Sequence, residues 1–305
     1  MTKSNTIKSL LAICIIALLN RGAVQAQLID NRIGNAFNEE MFFSQQFLWM
    51  NKIKSITGVV SIKRPGKPIE QRPDISVYRF NEVGLMTRMD KVTSVKNLID
   101  SLTIKFRRND LGSVQLREET GTRGYYSTGF VYDDQGRLIR VEYGTAENIS
   151  TLKNKLEPGR TISLNAESVI WNEQDNGVVR KSVYNNYGLH YSNWTITKNP
   201  KGFVESEVEE LIMSGRTKTK SYVYNEHGWI AQIESTDNMS SGKKAQTFVY
   251  DGIGNIQKVE YFDGVKMTRE IEVLYSPTML VEAFLDHNLE SGDIVITKFS
   301  YEYYK

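Results

Sequence analysis

Three histidines, His190, His227 and His287, are the first residues to weigh for proton transfer or metal binding. They fall in different segments, with no second His and no Cys at ligand spacing, so a metal centre has no basis. His227 stands at a turn position, where a solvated histidine is expected. Asp133 with Asp134, and Asp251, could be imagined as paired acid and base. However, Asp133 and Asp251, like Asn225, occupy places where a short polar side chain bonds the backbone two residues on and closes a turn. No Gly-x-Ser-x-Gly, phosphate loop or dinucleotide fingerprint occurs. A glycosidase would need two acids across a cleft, and the 36 acidic residues offer no way to single out a pair. The sequence thus predicts no catalytic residue, no metal site and no cofactor.

Aromatic side chains offer another chemistry, stacking on the apolar faces of sugars. Most rings here recur at fixed spacing, which marks them as core. Trp194 and Trp229 are the exceptions and are the binding candidates. Trp229 follows a turn glycine at a place held elsewhere by Leu85, Ser113, Arg137 and Asn255, so the spacing alone demands no ring there. Packing is still the simpler use of a large aromatic.

The recurring cluster is plainest as Phe130-Val131-Tyr132-Asp133-Asp134-Gln135-Gly136-Arg137-Leu138. Marker glycines Gly84, Gly112, Gly136, Gly177, Gly202, Gly228 and Gly254, with Met279 in the eighth place, are 24 to 28 residues apart, except for a longer 136–177 interval. Such a period marks supersecondary units that bury their apolar faces against neighbours. The residue six before each marker is apolar. In five of the eight copies an aromatic stands four before it, on the same strand face. A polar residue three before the marker and the glycine's access to positive φ make a tight turn. The residue two after is aliphatic or Met, and starts a second strand. A looser turn then closes each unit, as at Asn185 to Gly188, Ser214-Gly215, Ser241-Gly242, Phe262 to Gly264 and Ser291-Gly292. Connections this short join antiparallel neighbours.

The wording Tyr-Asp-x-x-Gly-Arg-Leu at Tyr132 to Leu138 resembles the YD repeat of the Rhs-type family, with looser copies at Tyr224 to Ile230 and Tyr250 to Ile256. The resemblance covers about Tyr78 to Lys305 and rests on eight copies in phase. Large members of that family wind the repeats into a shell around a C-terminal toxin. This chain has too few repeats for that and ends on a repeat strand. It looks more like small exported members from Bacteroides-type bacteria, for which the resemblance implies strand geometry and no established activity.

Residues 1–26 carry Lys3 and Lys8, the apolar run Leu10 to Leu19, and the exit Val24-Gln25-Ala26. This pattern predicts a secretory signal peptide cleaved before Gln27, its apolar core too short to span a bilayer. Cys14, the only cysteine, leaves with it, so the exported chain must fold without a disulfide. Loss of Lys3, Lys8 and Arg21 takes the net charge from +2 to about −1, which leaves no basic field for nucleic acid.

Residues 27–76 are expected to hold a helix from Asn38 to Met50, capped by Asn38 with Glu39 and Glu40 in its first turn, plugging or capping the first open end of the sheet. A leading strand follows at Ile53 to Lys63. Residues 77–305 form the repeat domain, with an insertion at about 144–165 expected as a loop. The terminal stretch Ile294 to Tyr304 has apolar residues on both faces. It must either pack within the chain or accept a partner strand.

Simple alternation puts Met86, Leu138 and Ile256 on one face with Arg88, Arg140 and Lys258, which argues against an outer-membrane barrel. The fold expected is therefore all-β: a repetitive antiparallel β-meander of about 14 to 18 strands forming a curled or rolled sheet, with a short N-terminal helix. The function expected is non-catalytic binding of a glycan or envelope protein at the periplasmic or cell-surface side. No membrane span is expected in the mature chain. A carbohydrate-active enzyme and a purely structural component of a surface assembly are the alternatives.

Overall fold

A computed structural model describes residues 27–37, 42–95, 98–122, 124–150, 157–173, 176–240 and 242–305. The leader lies outside them, as do Asn38 to Met41 and residues 151–156. Eighteen antiparallel strands run from β1 (Ile53–Lys63) to β18 (Ile294–Tyr303), each bonded to the next in sequence. β18 also pairs with β1 over ten positions, from Ile53↔Tyr303 to Lys63↔Ile294, so the sheet closes into a barrel. Terminal edges are thereby removed, and the apolar last strand is paired on both sides, by β17 (Val281–Asn288) and β1.

Every marker position has positive φ, between 76° and 94° at the seven glycines and 63° at Met279. In the turn after β6 (Gly124–Tyr132), the Gly136 amide donates to the Asp133 carbonyl at 2.9 Å and the Asp133 amide to the Arg137 carbonyl at 2.9 Å. The Asp133 carboxylate accepts from the Gln135 and Arg137 amides at 3.0 and 2.8 Å. Asn225 and Asp251 make the same bonds in their turns. This is a type I turn followed by a left-handed residue, which inserts one extra residue into the strand that follows. Tyr132 therefore pairs with Leu138, but Val131 pairs with Arg140.

That extra residue corrects the alternation expected from sequence. Met86, Leu138 and Ile256 face inward with Phe80, Tyr132 and Tyr250, whereas Arg88, Arg140 and Lys258 face out with Arg79, Val131 and Val249. The outer wall carries ion pairs such as Arg140–Glu142 at 2.7 Å and Lys258–Glu270 at 2.9 Å. At the same height the outer wall also carries exposed Val131 and Val249, so its outer face mixes charged and apolar side chains. No helix among the described residues is long and apolar enough to cross a membrane.

Where a tyrosine stands four before the marker, and at Tyr301 of the last strand, it ties its repeat to the previous one. The hydroxyls of Tyr132, Tyr224, Tyr250, Tyr275 and Tyr301 donate to the carbonyls of Val114, Val204, Ile230, Ile256 and Val281, at 2.6 to 2.9 Å. Each acceptor opens the second strand of the preceding unit. Trp171 does the same toward Leu138 at 2.8 Å. Burial of a ring with its polar end satisfied is the use to which Tyr is best suited.

Two sequence expectations are corrected at the edges of the array. The helix α1 is Gln45–Met50, capped by the Ser44 hydroxyl at the Phe47 amide, and the expected start at Asn38 lies outside the described residues. The 144–165 insertion lengthens β7 (Leu138–Asn148) and β8 (Pro158–Glu173) into one long hairpin, paired out to Asn148↔Pro158. The alternating Thr161-Ile162-Ser163-Leu164 suits a strand better than a loop.

The described residues of this segment, 27–37 and 42–50, fill one end of the barrel. Leu28, Ile29, Ala36, Phe47 and Leu48 are buried with Tyr78, Phe80, Tyr222, Ile230 and Phe284 of the wall. Phe43 meets Tyr78 and Phe80 edge-on at 5.0 and 5.5 Å, and Phe37 meets Phe284 at 5.2 Å. The segment thus plugs the barrel end that carries the marker turns.

A side chain at Gly136 would meet nothing within 4 Å, whereas a Cβ at Gly254 would lie 2.1 Å from Gln27 Nε2 and 2.6 Å from Trp229. Gly136→Val should cost about 1–2 kcal/mol, the strain of the left-handed region. Gly254→Val should cost more, because the plug must also move. Urea unfolding of both variants checks the order, and equal losses would contradict it.

Candidate functional site

Paired residues on adjacent strands share a face, so the buried contacts of the plug identify the inside and the registers carry that assignment around the wall. Away from the plug the inward row becomes charged. Trp194 on β10 (His190–Lys198) faces Lys181 of β9 (Val178–Tyr184) and Glu209 of β11 (Val204–Leu211). Lys220 on β12 (Arg216–Tyr224) lies opposite Glu207 on one side and Ser235 of β13 (Ile230–Asp237) on the other. Lys244, which opens β14 (Lys244–Tyr250), pairs with Ser235 and Asp263.

These residues bound two cavities of about 400 and 440 Å³. Lys220, Ser235 and Lys244 line both, so the cavities form one cleft along the inner wall. Trp194 stands at one end, and Tyr261 with Arg269 at the other. Most of the cleft's cations are already matched: Arg216 with Asp237, Lys218 with Glu209 at 3.8 Å, and Arg269 with Asp286 through two bonds of 2.7 Å. Lys220 and Lys244 make no ion pair among the described residues.

Aromatic rings temper the remaining charges. The Lys181 ammonium lies 4.2 Å from the Trp194 ring centre and 5.4 Å from that of Trp171, while Lys220 lies 5.2 Å from Tyr222. Burial lowers the Lys181 ammonium below its ordinary value, opposed by Glu207 and Glu209. Burial likewise raises the Tyr222 hydroxyl, which donates to Glu207 at 2.7 Å. Its hydrogen bond to Asp286 holds Arg269 above its usual range. The surface so built offers donors, acceptors and two ring systems, a set suited to a polar ligand with several hydroxyl groups.

The two tryptophans are not brought together. Trp229 lies at the plug end, beside Tyr250 and His227 at 5.3 and 4.8 Å, and lines a separate cavity of about 300 Å³ with Gln27 and Asn31. Its ring also lies against Gly254. Phe203 rests in the same way on Gly228 and stacks on Tyr224 at 4.9 Å, and Leu85 approaches Gly112. The place after a marker glycine therefore does have a packing role, covering the next repeat's glycine. Turn spacing could not show it, because the partner lies one repeat away.

The histidines stay apart. The His190 ring bonds Asn193 at 2.8 Å, His227 lies 3.6 Å from Glu226, and the Nε2 atom of His287 is buried without a partner. Among the described residues no three His, Cys, Asp or Glu side chains could hold a metal ion. The residues sequence reasoning missed are Lys181, Lys220, Lys244, Tyr261 and Arg269.

No protein-family profile matches the chain, and no curated protein does. Among solved structures it is similar to a porin-like protein from Bacteroides uniformis, at 10% identity over 83% of this chain and 97% of that one, with a TM-score of 0.39. A porin-like protein from Bacteroides vulgatus follows at 7% identity over 80% and 97%, TM-score 0.31. A LolA superfamily protein from Nitrosomonas europaea follows at 8% identity over 82% and 84%, TM-score 0.23. Agreement at this level adds nothing to the barrel read from strand pairing.

Proposed function

We propose that this is an exported, non-catalytic binding protein of the bacterial envelope that holds a glycan in the barrel lumen. The observation that carries the reading is the continuous cleft from Trp194 to Tyr261, with Lys220, Ser235 and Lys244 between them. Rings at both ends and hydrogen-bonding groups between them match the alternating apolar faces and hydroxyls of a sugar chain. Export is supported by the leader pattern of residues 1–26. Membership of the degenerate YD-repeat group is supported by the turn geometry and by the inter-repeat tyrosine bonds.

The test is a glycan array followed by calorimetry on the hits, using the parent, Trp194→Ala and Trp229→Ala. Loss of one ring contact is worth about 1 kcal/mol, so Trp194→Ala should weaken binding roughly five- to tenfold with little change in stability. Trp229→Ala should lower the melting temperature and leave affinity near that of the parent. Turnover of the bound glycan would replace this reading with an enzyme. Binding unaffected by Trp194→Ala would remove the cleft from it.

A further inference from the structure

The plug begins at Gln27, which is only 7% exposed although the exported chain is expected to start there. The two residues that follow, Leu28 and Ile29, are buried in the barrel end. The Gln27 side-chain amide lies against Gly254, and its Nε2 atom is buried with no hydrogen-bond partner. A chain cut before Gln27 places a second polar group in the same region, an α-ammonium. Burial of a charge is costly unless an opposite charge meets it. Among the described residues none is free to do so. The cavity beside Gln27, of about 300 Å³, is lined by Asn31, Arg32, His227, Trp229 and Tyr250 among others, and no carboxylate lines it. Asp30 is held by Arg32, at 2.9 Å from both oxygens to Nε. Asp251, in the turn of Gly254, accepts from the Ile253 and Asn255 amides and from the Asn255 side chain, at 2.8 to 3.0 Å. Glu226 points to solvent, with its side chain 88% exposed.

An N-terminal glutamine can remove that charge with its own side chain. We propose that Gln27 is a modification site: once the leader is cut it closes to a lactam, pyroglutamate, and seals the plug with an uncharged end. The site rests on the leader cleavage proposed above. In the reaction the neutral α-amine nitrogen attacks Cδ of the side-chain amide. The bond from that nitrogen to Cδ forms, the bond from Cδ to Nε2 breaks, and Nε2 leaves as ammonia with the one hydrogen that the amine gives up. No oxidant, reductant or cofactor is needed. The ammonium and the partnerless amide nitrogen are both gone, and the side-chain carbonyl is kept. Ring closure requires the amide to turn away from Gly254 toward the chain's own nitrogen, so it precedes the seating of the plug.

The test is the intact mass of the protein exported by cells that produce the full chain, taken at first recovery. The expected species is residues 27–305 lighter by one ammonia, with an N-terminus blocked to sequencing until pyroglutamyl peptidase opens it after unfolding. Residues 27–305 at the uncyclised mass overturn the proposal and leave export standing. A chain that keeps its leader, or is cut elsewhere, overturns both. A lactam fraction that starts low and grows on storage overturns closure before folding. Gln27→Ala cannot form the ring and should be exported but melt about 2 to 4 °C below the parent, the shift that a loss near 1 kcal/mol gives a chain of this size. A parent chain with Gln27 freshly exposed should melt equally low, and regain the difference after cyclisation in urea and refolding. That pair of forms decides the point even if Gln27→Ala fails to fold. Equal melting of the open and closed forms overturns the sealing role.

Discussion

Removal of residues 293–305 is expected to abolish the fold. The deletion takes away β18, the strand that joins β17 to β1, and with it ten register pairs on one side and five on the other. Phe299 and Tyr301 leave the core, and the Tyr301 bond to Val281 and the Tyr304 bond to Phe80 are lost. Two long edges are then bared, β1 and β17, both rich in apolar residues and prone to pair with other chains. The expected result is loss of cooperative unfolding by circular dichroism and aggregation on size exclusion. A truncated protein that stays monomeric and melts within a few degrees of the parent would refute closure by β18.

The second large effect is alkaline collapse. Burial raises the hydroxyls of Tyr132, Tyr224, Tyr250, Tyr275 and Tyr301 above their ordinary value, and Tyr250 is pushed up to about 12. Each is protonated when it bonds a carbonyl of the preceding repeat, so the folded state holds the proton more tightly than the unfolded chain does. The stability this brings is complete below pH about 10, the unfolded value, and is lost as pH rises through the folded values. For Tyr250 the loss is on the order of 2 to 3 kcal/mol, and the other tyrosines add to it. The barrel should therefore unfold cooperatively between about pH 10 and 12. Tyrosinate absorbance should appear together with loss of strand signal. Tyrosines that titrate near pH 10 while the sheet stays intact would show that these bonds do not hold the repeats together.

The repeat unit was legible because it is local. Asp133, Gly136 and Leu138 lie within six residues, and their types report φ and strand entry directly. β1 was readable to the residue, since Ile53 to Lys63 is bounded by a turn of Pro and Gly. Closure was not readable, because the edge of β18 and the edge of β1 look alike whether they meet each other or another chain. Facing was misread for Arg88, Arg140 and Lys258, since one extra residue at the turn inverts alternation without changing composition. The cleft was hidden for a different reason. A lumen wide enough to hold water accepts Lys220, Lys244 and Arg269 as readily as the outer wall does, so the usual contrast between inner and outer residues fades. Trp194 was singled out as a ring outside the repeat pattern, and it lines the cleft. Trp229 was singled out on the same ground and serves packing.

Each of these tyrosine bonds reaches only the adjacent unit, and each strand pairs in the sheet only with its two neighbours. The array is in that sense modular: duplication of one unit in the gene would add two strands and one tyrosine bond and would leave every other contact in place. The circumference can therefore grow in steps of two strands. The plug cannot follow, because Asn31 bonds the Tyr250 hydroxyl while Phe43 packs on Tyr78 and Phe80, on well-separated strands of the present ring. Repeat number and the length of residues 27–50 must then change together in evolution, and a relative with one more repeat should carry a bulkier segment ahead of its first strand.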